Sequence, residues 1–160
     1  MNRTYLLLGS NMGNSQELLT DAIYQIKKHT GKLIRSSALY STAAWGNTDQ
    51  PDFLNQVIVI ETQQSAAETL QSILSIEKKM GRVRTVKNAP RIIDIDILFF
   101  NKEIIDQPDL IVPHPEIQNR RFVLIPLNEI APGFIHPVLN KSVQHLLKQC
   151  KDPLNVKKFY

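Results

Sequence analysis

Hydrophobic residues along the chain follow two spacings that alternate with each other. Runs rich in valine, isoleucine and leucine are typical of buried strands, whereas apolar residues that recur every three or four positions are typical of one face of a helix. Four strands and two helices are predicted in this way over the first hundred residues. The strands span residues 4–8, 33–42, 53–62 and 92–100, and the helices span 15–30 and 65–80.

Polar residues mark the beginnings of both predicted helices. Asn14 or Ser15 can cap the first helix, because either side chain can accept a hydrogen bond from an otherwise unpaired amide. Ser65 and Glu68 have the spacing of a capping box, in which each side chain accepts from the other residue's backbone amide. Both helix starts are therefore encoded locally.

The order strand, helix, strand, strand, helix, strand is that of the ferredoxin-like split βαβ fold, in which an antiparallel sheet carries two helices on one face. Further elements follow: a hairpin near 101–102, a short helical region ending at 129 and a helix at 142–150. These later helices would cover the other face. Since nothing in the chain repeats and no linker interrupts it, we predict a single α+β domain over residues 1–160.

The composition is that of one soluble domain. The chain has 160 residues, of which 42% are apolar and 21% are charged, which suits one hydrophobic core. Cys150 is the only cysteine, so no internal disulfide can form, as is usual in a reducing compartment. The apolar run at 5–8 is too short for a signal peptide or a membrane span. We therefore expect a cytoplasmic protein that does not bind membranes.

Two carboxylates share one face of the strand predicted at 92–100. Alternate side chains of a strand point to the same side, so Asp94 and Asp96 face one way while Ile93, Ile95 and Ile97 face the core. Two like charges at that spacing repel each other unless a cation lies between them. An isolated Asp-x-Asp more often lies on a solvated face, but this pair follows a basic loop. We therefore predict a Mg²⁺ site that is completed by phosphate oxygens.

The loop at 81–91 is strongly basic, with Arg82, Arg84, Lys87 and Arg91. A basic loop by itself is usually only solvated. Beside a carboxylate–metal pair, however, guanidinium groups can bind phosphate oxygens at two points, as phosphoryl-type transfer requires. The net charge of +4 permits an anionic ligand but is too small to indicate nucleic acid.

Other common sites have no counterpart in the sequence. The glycine-containing stretch 9–13 lacks the lysine of a phosphate-binding P-loop, and we interpret it as a mainly structural turn. The four histidines are scattered and the single cysteine has no partner cysteine, so no zinc site is predicted.

A series of short motifs runs through the chain in a fixed order. The longest, at 87–98, reads Lys-Asn-Ala-Pro-Arg-Ile-Ile-Asp-Ile-Asp-Ile-Leu. Shorter motifs lie at 9–11, 50–55, 77, 81–84, 112–114 and 119–122. Together they resemble the 6-hydroxymethyl-7,8-dihydropterin pyrophosphokinases over nearly the whole chain.

The resemblance implies an activity and its cofactors. Members of this family transfer the β,γ-pyrophosphoryl group of ATP to the hydroxymethyl group of the pterin and release AMP, a step of folate synthesis. The same resemblance implies a ferredoxin-like core that is usually monomeric, ATP as co-substrate, and two Mg²⁺ ions held by Asp94 and Asp96.

The resemblance also implies roles for individual residues, by their positions in the matching motifs. An aromatic pair such as Phe53 and Phe122 suits a flat fused ring, and the amide of Asn55 matches the amino-pyrimidinone edge of a pterin. The pterin would be bound by Thr42, Ala43, Trp45, Phe53, Asn55 and Phe122, and ATP by Leu70, Glu77, Arg82, Arg84, Arg91, Ile97, His114 and Arg120. The catalytic set would be Arg82, Arg84, Arg91, Asp94 and Asp96.

Two other functions remain as alternatives. RNA-recognition modules share the split βαβ core, but they present aromatic residues on central strands, whereas the strand here presents Asp94 and Asp96. A metal-dependent phosphohydrolase could use the same two aspartates, and its products would distinguish it because it would release phosphate without any pterin.

Overall fold

The computed structural model describes residues 1–43, 51–81 and 92–160. Within them the chain forms eight strands, four α-helices and one 3₁₀ turn at Ile117–Asn119. The strands are β1 (Asn2–Ser10), β2 (Lys32–Ser36), β3 (Tyr40–Thr42), β4 (Phe53–Thr62), β5 (Asp94–Phe100), β6 (Ile105–Gln107), β7 (Leu110–Val112) and β8 (Val156–Lys158); the helices are α1 (Ser15–His29), α2 (Ala66–Lys79), α3 (Arg121–Ile130) and α4 (Val143–Gln149).

The main sheet is antiparallel throughout its described strands. β1 lies between β5 and β4, β2 and β3 both pair with the far side of β4, and β8 extends the edge beyond β3. A separate hairpin is formed by β6 and β7. The arrangement is the predicted ferredoxin-like one.

Alternation along the strands divides the core into two halves. Leu6 and Leu8 of β1 pack with α1 and α2, whereas Leu7 belongs to the half that packs with α3 and α4. Burying both faces with one strand requires apolar residues at successive positions, which explains the continuous apolar run of β1. Helices therefore cover both faces, as predicted.

The two predicted helix caps are confirmed. The side chain of Asn14 accepts from the amide of Glu17 at 3.2 Å, which identifies Asn14 rather than Ser15 as the first cap. At α2, the Ser65 Oγ accepts from the Glu68 amide at 3.1 Å, and Glu68 Oε1 accepts from the Ser65 amide at 2.9 Å.

Three elements differ from the sequence predictions. The strand predicted at 33–42 is interrupted between β2 and β3, where Ser37 donates its amide to the Val57 carbonyl and accepts with its Oγ from the Val57 amide. The predicted hairpin lies further on, at β6 and β7, while 101–102 forms only a turn. β8 was not predicted at all. No helix in the described ranges is long and apolar enough to span a membrane.

Candidate active site

A cleft that is partly open to solvent lies on the α3 side of the sheet where β1, β4 and β5 meet. Its floor is made of strand residues, and its walls come from the start of α3 and from the C-terminal segment. The residues that line it are Leu7, Gly9, Thr42, Ala43, Phe53, Asn55, Asp94, Asp96, Arg120, Phe122 and Leu154.

Strand register explains why residues distant in sequence meet on this floor. Gly9 of β1 is paired with Asp94 of β5 on one side and with Asn55 of β4 on the other. Paired residues in an antiparallel sheet present their side chains on the same face. The three positions therefore form one row across three strands, with a carboxylate at one end and an amide at the other.

Gly9 leaves the middle of this row open. A Cβ atom at this position would lie 2.7 Å from Asn55 Oδ1, which is closer than such contacts allow. Gly9 lies within β1 and lines the cleft, so the stretch 9–13 begins in a strand rather than in the predicted turn. Only a residue without a side chain lets the Asn55 amide keep its place beside the cleft.

The predicted pterin-binding residues of the described chain lie together. Asn55 is buried, with 4% of its surface exposed, and its Nδ2 donates to Thr42 Oγ1 over a long 3.4 Å. Thr42 is paired with Phe53 across β3 and β4, and Phe122 stands on the first turn of α3. Trp45 lies outside the described residues.

The carboxylate pair is arranged as the alternation predicted. Ile93, Ile95 and Ile97 are buried in the α1/α2 half of the core, whereas Asp94 and Asp96 line the cleft on the opposite face. Within the described ranges, no group of three or more His, Cys, Asp or Glu side chains is placed to hold a metal. Two carboxylates with room for phosphate and water are a donor set that fits Mg²⁺.

Arg120 lines the cleft with the two carboxylates, and His114 is close enough to Arg120 and Asp94 for their charges to affect it. Burial lowers the pKa of His114 below its usual 6.5, the positive charge of Arg120 lowers it further, and Glu116 and Asp94 oppose this shift. Nδ1 of His114 accepts from the Glu116 amide at 3.1 Å. At neutral pH the ring is therefore uncharged and carries its proton on Nε2.

The guanidinium of Arg120 lines the cleft and lies 5.8 Å from the ring centroid of Phe122. At this distance cation and ring attract each other. A cation thus lies beside the aromatic wall of a cleft that also contains the two carboxylates.

Three other residues of the predicted ATP set lie elsewhere. Leu70 and Ile97 pack in the α1/α2 half of the core. Glu77 is also on that side, only 3% exposed, and its Oε2 accepts from the Ile95 amide at 2.7 Å. Their roles in ATP binding stay predictions, and the catalytic candidates Arg82, Arg84 and Arg91 lie outside the described residues.

Sequence reasoning missed three residues of the cleft: Leu7, Gly9 and Leu154. The pairing of Gly9 with Asp94 could have been inferred from a correct strand register. Leu154 had no such signal, because it stands in a short polar tail without periodicity.

A model of the family described as 7,8-dihydro-6-hydroxymethylpterin-pyrophosphokinase (HPPK) matches residues 5–132. The 2-amino-4-hydroxy-6-hydroxymethyldihydropteridine pyrophosphokinase of Methylorubrum extorquens is 40% identical over 136 residues, 84% of this chain and 86% of its own length. The Bacillus subtilis protein of the same name is 41% identical over 130 residues, covering 81% of this chain and 78% of its own.

Longer proteins contain a similar segment. The folic acid synthesis protein fol1 of Pneumocystis carinii is 36% identical over 148 residues, which is 92% of this chain but only 20% of that protein. A crystal structure of wild-type Plasmodium falciparum HPPK-DHPS with pteroate has a TM-score of 0.77 at 21% identity over 92% of this chain and 42% of that one. At that identity the likeness supports the fold alone. With the matched family model and two relatives at about 40% identity that are matched over most of their length, this chain belongs to the 7,8-dihydro-6-hydroxymethylpterin-pyrophosphokinase family.

Proposed function

We propose that the cleft is the active site in which this chain transfers the β,γ-pyrophosphoryl group of ATP to 6-hydroxymethyl-7,8-dihydropterin. The reaction is that of its family and belongs to folate synthesis. The hydroxymethyl oxygen attacks the β-phosphorus, the bond from that phosphorus to the α,β-bridging oxygen breaks, and AMP leaves with the bridging oxygen. The hydroxyl proton is released.

One observation carries the proposal: groups suited to a pterin and groups suited to polyphosphate line the same cleft. Asn55 offers a buried amide with both a donor and an acceptor, and Phe53 and Phe122 offer aromatic faces. Asp94 and Asp96 lie on β5, which is separated from β4 by β1 alone. A bound pterin can thus direct its hydroxymethyl arm toward the carboxylates.

Asp94 and Asp96 are proposed to hold two Mg²⁺ ions together with ATP oxygens. Bound Mg²⁺ neutralises charge on the transferring group. The residues themselves supply fixed carboxylate oxygens on one strand face, anchored from behind by the bond between Glu77 and the intervening Ile95 amide. That anchor gives Glu77 a structural role on the face of the sheet opposite the cleft.

Arg120 and His114 are proposed to bind the triphosphate. Arg120 supplies a permanent charge, whereas a neutral His114 supplies one Nε2–H donor. By family resemblance Arg82, Arg84 and Arg91 complete the phosphate contacts, Trp45 and Ala43 the pterin site, and Leu70, Glu77 and Ile97 the nucleotide site.

We further propose that the chain acts as one domain over residues 1–160, as a monomer in the cytoplasm. The shared sheet supports the first statement, because both halves of the core pack on it. Analytical ultracentrifugation at working concentrations tests the oligomeric state.

Product analysis tests the reaction. We expect ATP to be converted to AMP only when 6-hydroxymethyl-7,8-dihydropterin is present, in a one-to-one ratio with the pterin diphosphate, as followed by chromatography. ADP as the stoichiometric product, or phosphate release without pterin, would contradict the proposal; the latter would indicate the phosphohydrolase.

Substitution of the carboxylates tests their role. We expect Asp94→Asn and Asp96→Asn each to lower kcat by orders of magnitude with an unchanged far-ultraviolet spectrum, because the neutral amide lacks the negative charge that favours the cation. Asp106→Asn, on the exposed strand β6, is the matched control. Near-normal rates in either active-site variant at saturating Mg²⁺ would mean that the pair is structural.

A further inference from the structure

The C-terminal segment reaches the cleft although it lies beyond the family match. That match ends at residue 132, yet Leu154 is one of the side chains that line the cleft. No motif in the sequence assigns this segment a role.

Strand pairing and one carboxylate hold the segment in place. β8 pairs with β3 so that Val156 lies opposite Thr42. Before β8, Asp152 accepts two backbone hydrogen bonds: Oδ2 from the Arg121 amide at 2.9 Å and Oδ1 from the Leu154 amide at 3.0 Å. Both oxygens of a single side chain are thus used to hold two parts of the chain that are next to or among the residues lining the cleft.

Arg121 adds further hydrogen bonds between the start of α3 and the C-terminal segment. Its Nε donates to the Asp152 carbonyl at 3.2 Å, and a terminal guanidinium nitrogen donates to the Cys150 carbonyl at 3.3 Å. Arg121 is also the first residue of α3, immediately before Phe122. Asp152 therefore holds both Leu154 and the turn that carries Phe122, which are two walls of the cleft.

We propose that Leu154 is a specificity-determining residue for the pterin and that Asp152 is its positioning residue. The inference rests on the proposed function. Leu154 is half-buried and adds apolar surface to a cleft whose floor carries an amide and two carboxylates. A flat ring bound beside Asn55 covers that surface, and its removal from water favours binding. ATP, bound toward the carboxylates, gains nothing from it.

Calorimetry can measure the Kd of the pterin and the Kd of an ATP analogue separately. We expect Leu154→Ala to raise the Kd of 6-hydroxymethyl-7,8-dihydropterin about tenfold, measured with Mg²⁺ and a non-hydrolysable ATP analogue present, since about that factor follows from losing several buried methyl and methylene contacts. The Kd of the ATP analogue and kcat should stay within about twofold, while KM for the pterin rises.

Val156→Ala is the matched control, because Val156 is also half-buried in the same segment but is absent from the described lining of the cleft. It should leave pterin affinity unchanged. Equal weakening by both variants would overturn the proposal, since the segment would then act only through docking. Unchanged pterin affinity in Leu154→Ala would overturn it as well.

A double-mutant cycle tests whether Asp152 acts on pterin binding through Leu154. Asp152→Ala should weaken pterin binding, Asp152→Asn should restore part of it because one oxygen remains, and Leu154→Ala should add little in the Asp152→Ala background. Fully additive effects would overturn the positioning role. If the unaltered enzyme binds ATP but no pterin, the proposed function itself is wrong. If the unaltered enzyme binds pterin and the variants bind it equally well, only the roles of Leu154 and Asp152 are wrong.

Discussion

Among single residues, Gly9 shows how a missing side chain can shape a site. It occupies the middle of the row formed with Asp94 and Asn55, and the space above it belongs to the cleft. The sequence marks the glycine but not the reason for it. The reason appears only when β1 is paired with both of its neighbours.

We expect Gly9→Ala to impair pterin binding more than ATP binding. The new Cβ would lie 2.7 Å from Asn55 Oδ1, so the amide must rotate away from its place. Pterin affinity should fall at least tenfold, because a buried polar edge loses its partner. Calorimetry with each ligand checks this. Gly133→Ala is the control, since a Cβ there meets nothing within 4 Å; equal affinities in both variants would contradict the prediction.

His114 leads to a prediction about pH. Its pKa in the folded protein is lowered by burial and by Arg120, so the fold prefers the neutral ring. This contribution to the free energy of unfolding is complete above the usual pKa of about 6.5 and is lost as pH falls through the lower folded value. We expect urea denaturation from pH 8 to 5 to show stability falling below about pH 6.5.

The decline should be shallower in His114→Asn, whose Oδ1 can still accept from the Glu116 amide while the side chain cannot be protonated. Parallel curves for the two proteins would mean that the imidazole does not contribute. His136, whose pKa burial also lowers, is present in both proteins and therefore cancels in the comparison.

At the scale of elements, α2 begins with a complete capping box that needs no tertiary contact. We expect Ser65→Ala to lower the free energy of unfolding by about 1 kcal/mol, since an amide of the first turn loses its acceptor. Turnover should be unchanged because the cap is remote from the cleft. Thermal or urea unfolding measures the loss.

Ser75→Ala on the same helix is the control. Ser75 is exposed in the helix interior, where alanine has the higher helix propensity, so the substitution should be neutral or slightly stabilising. A similar loss in both variants would point to a general effect on α2 rather than to its cap.

An element could be predicted when the sequence pattern that determines it lies within a few residues. Alternation placed Asp94 and Asp96 opposite Ile95 correctly, because a strand's period acts within a few residues. The break after β2 could not be predicted, since Ser37 is held by Val57, twenty residues away. β8 could not be predicted because its three exposed or half-buried residues at the sheet edge have no apolar pattern.

At the scale of the whole molecule, the two halves of the core share the strands between them. Ile73 lies in the α1/α2 half and Leu127 in the α3/α4 half, and both are fully buried. We expect Ile73→Ala and Leu127→Ala each to lower the free energy of unfolding by about 2–5 kcal/mol. Each should do so in one transition, because neither half has a sheet of its own.

Near- and far-ultraviolet circular dichroism in urea should give coincident curves for the unaltered protein and both variants. A separate early transition in Leu127→Ala, with the signal of the α1/α2 half retained, would show that the halves unfold independently. The single-domain proposal would then be wrong.

The site was predictable where family motifs carry it and unpredictable where only the fold does. Asn55, Phe53 and Phe122 were proposed together from their motifs, and all three line the cleft. Leu154 joins them through Asp152 and Arg121, a contact across some thirty residues that no local pattern encodes. The predicted nucleotide residues Glu77 and Ile97 lie across the sheet, which motif position alone could not reveal.

The row from Asp94 through Gly9 to Asn55 also has a fixed length. Its two ends are separated by two strand spacings, about 10 Å, and that length is set by main-chain hydrogen bonds. No single side-chain replacement can rescale it. If a pterin spans this row, as we propose, the backbone sets how far its arm must reach to the carboxylates. Only a shift in strand register would change that distance, and a shift by one residue would turn every side chain of that strand to the opposite face.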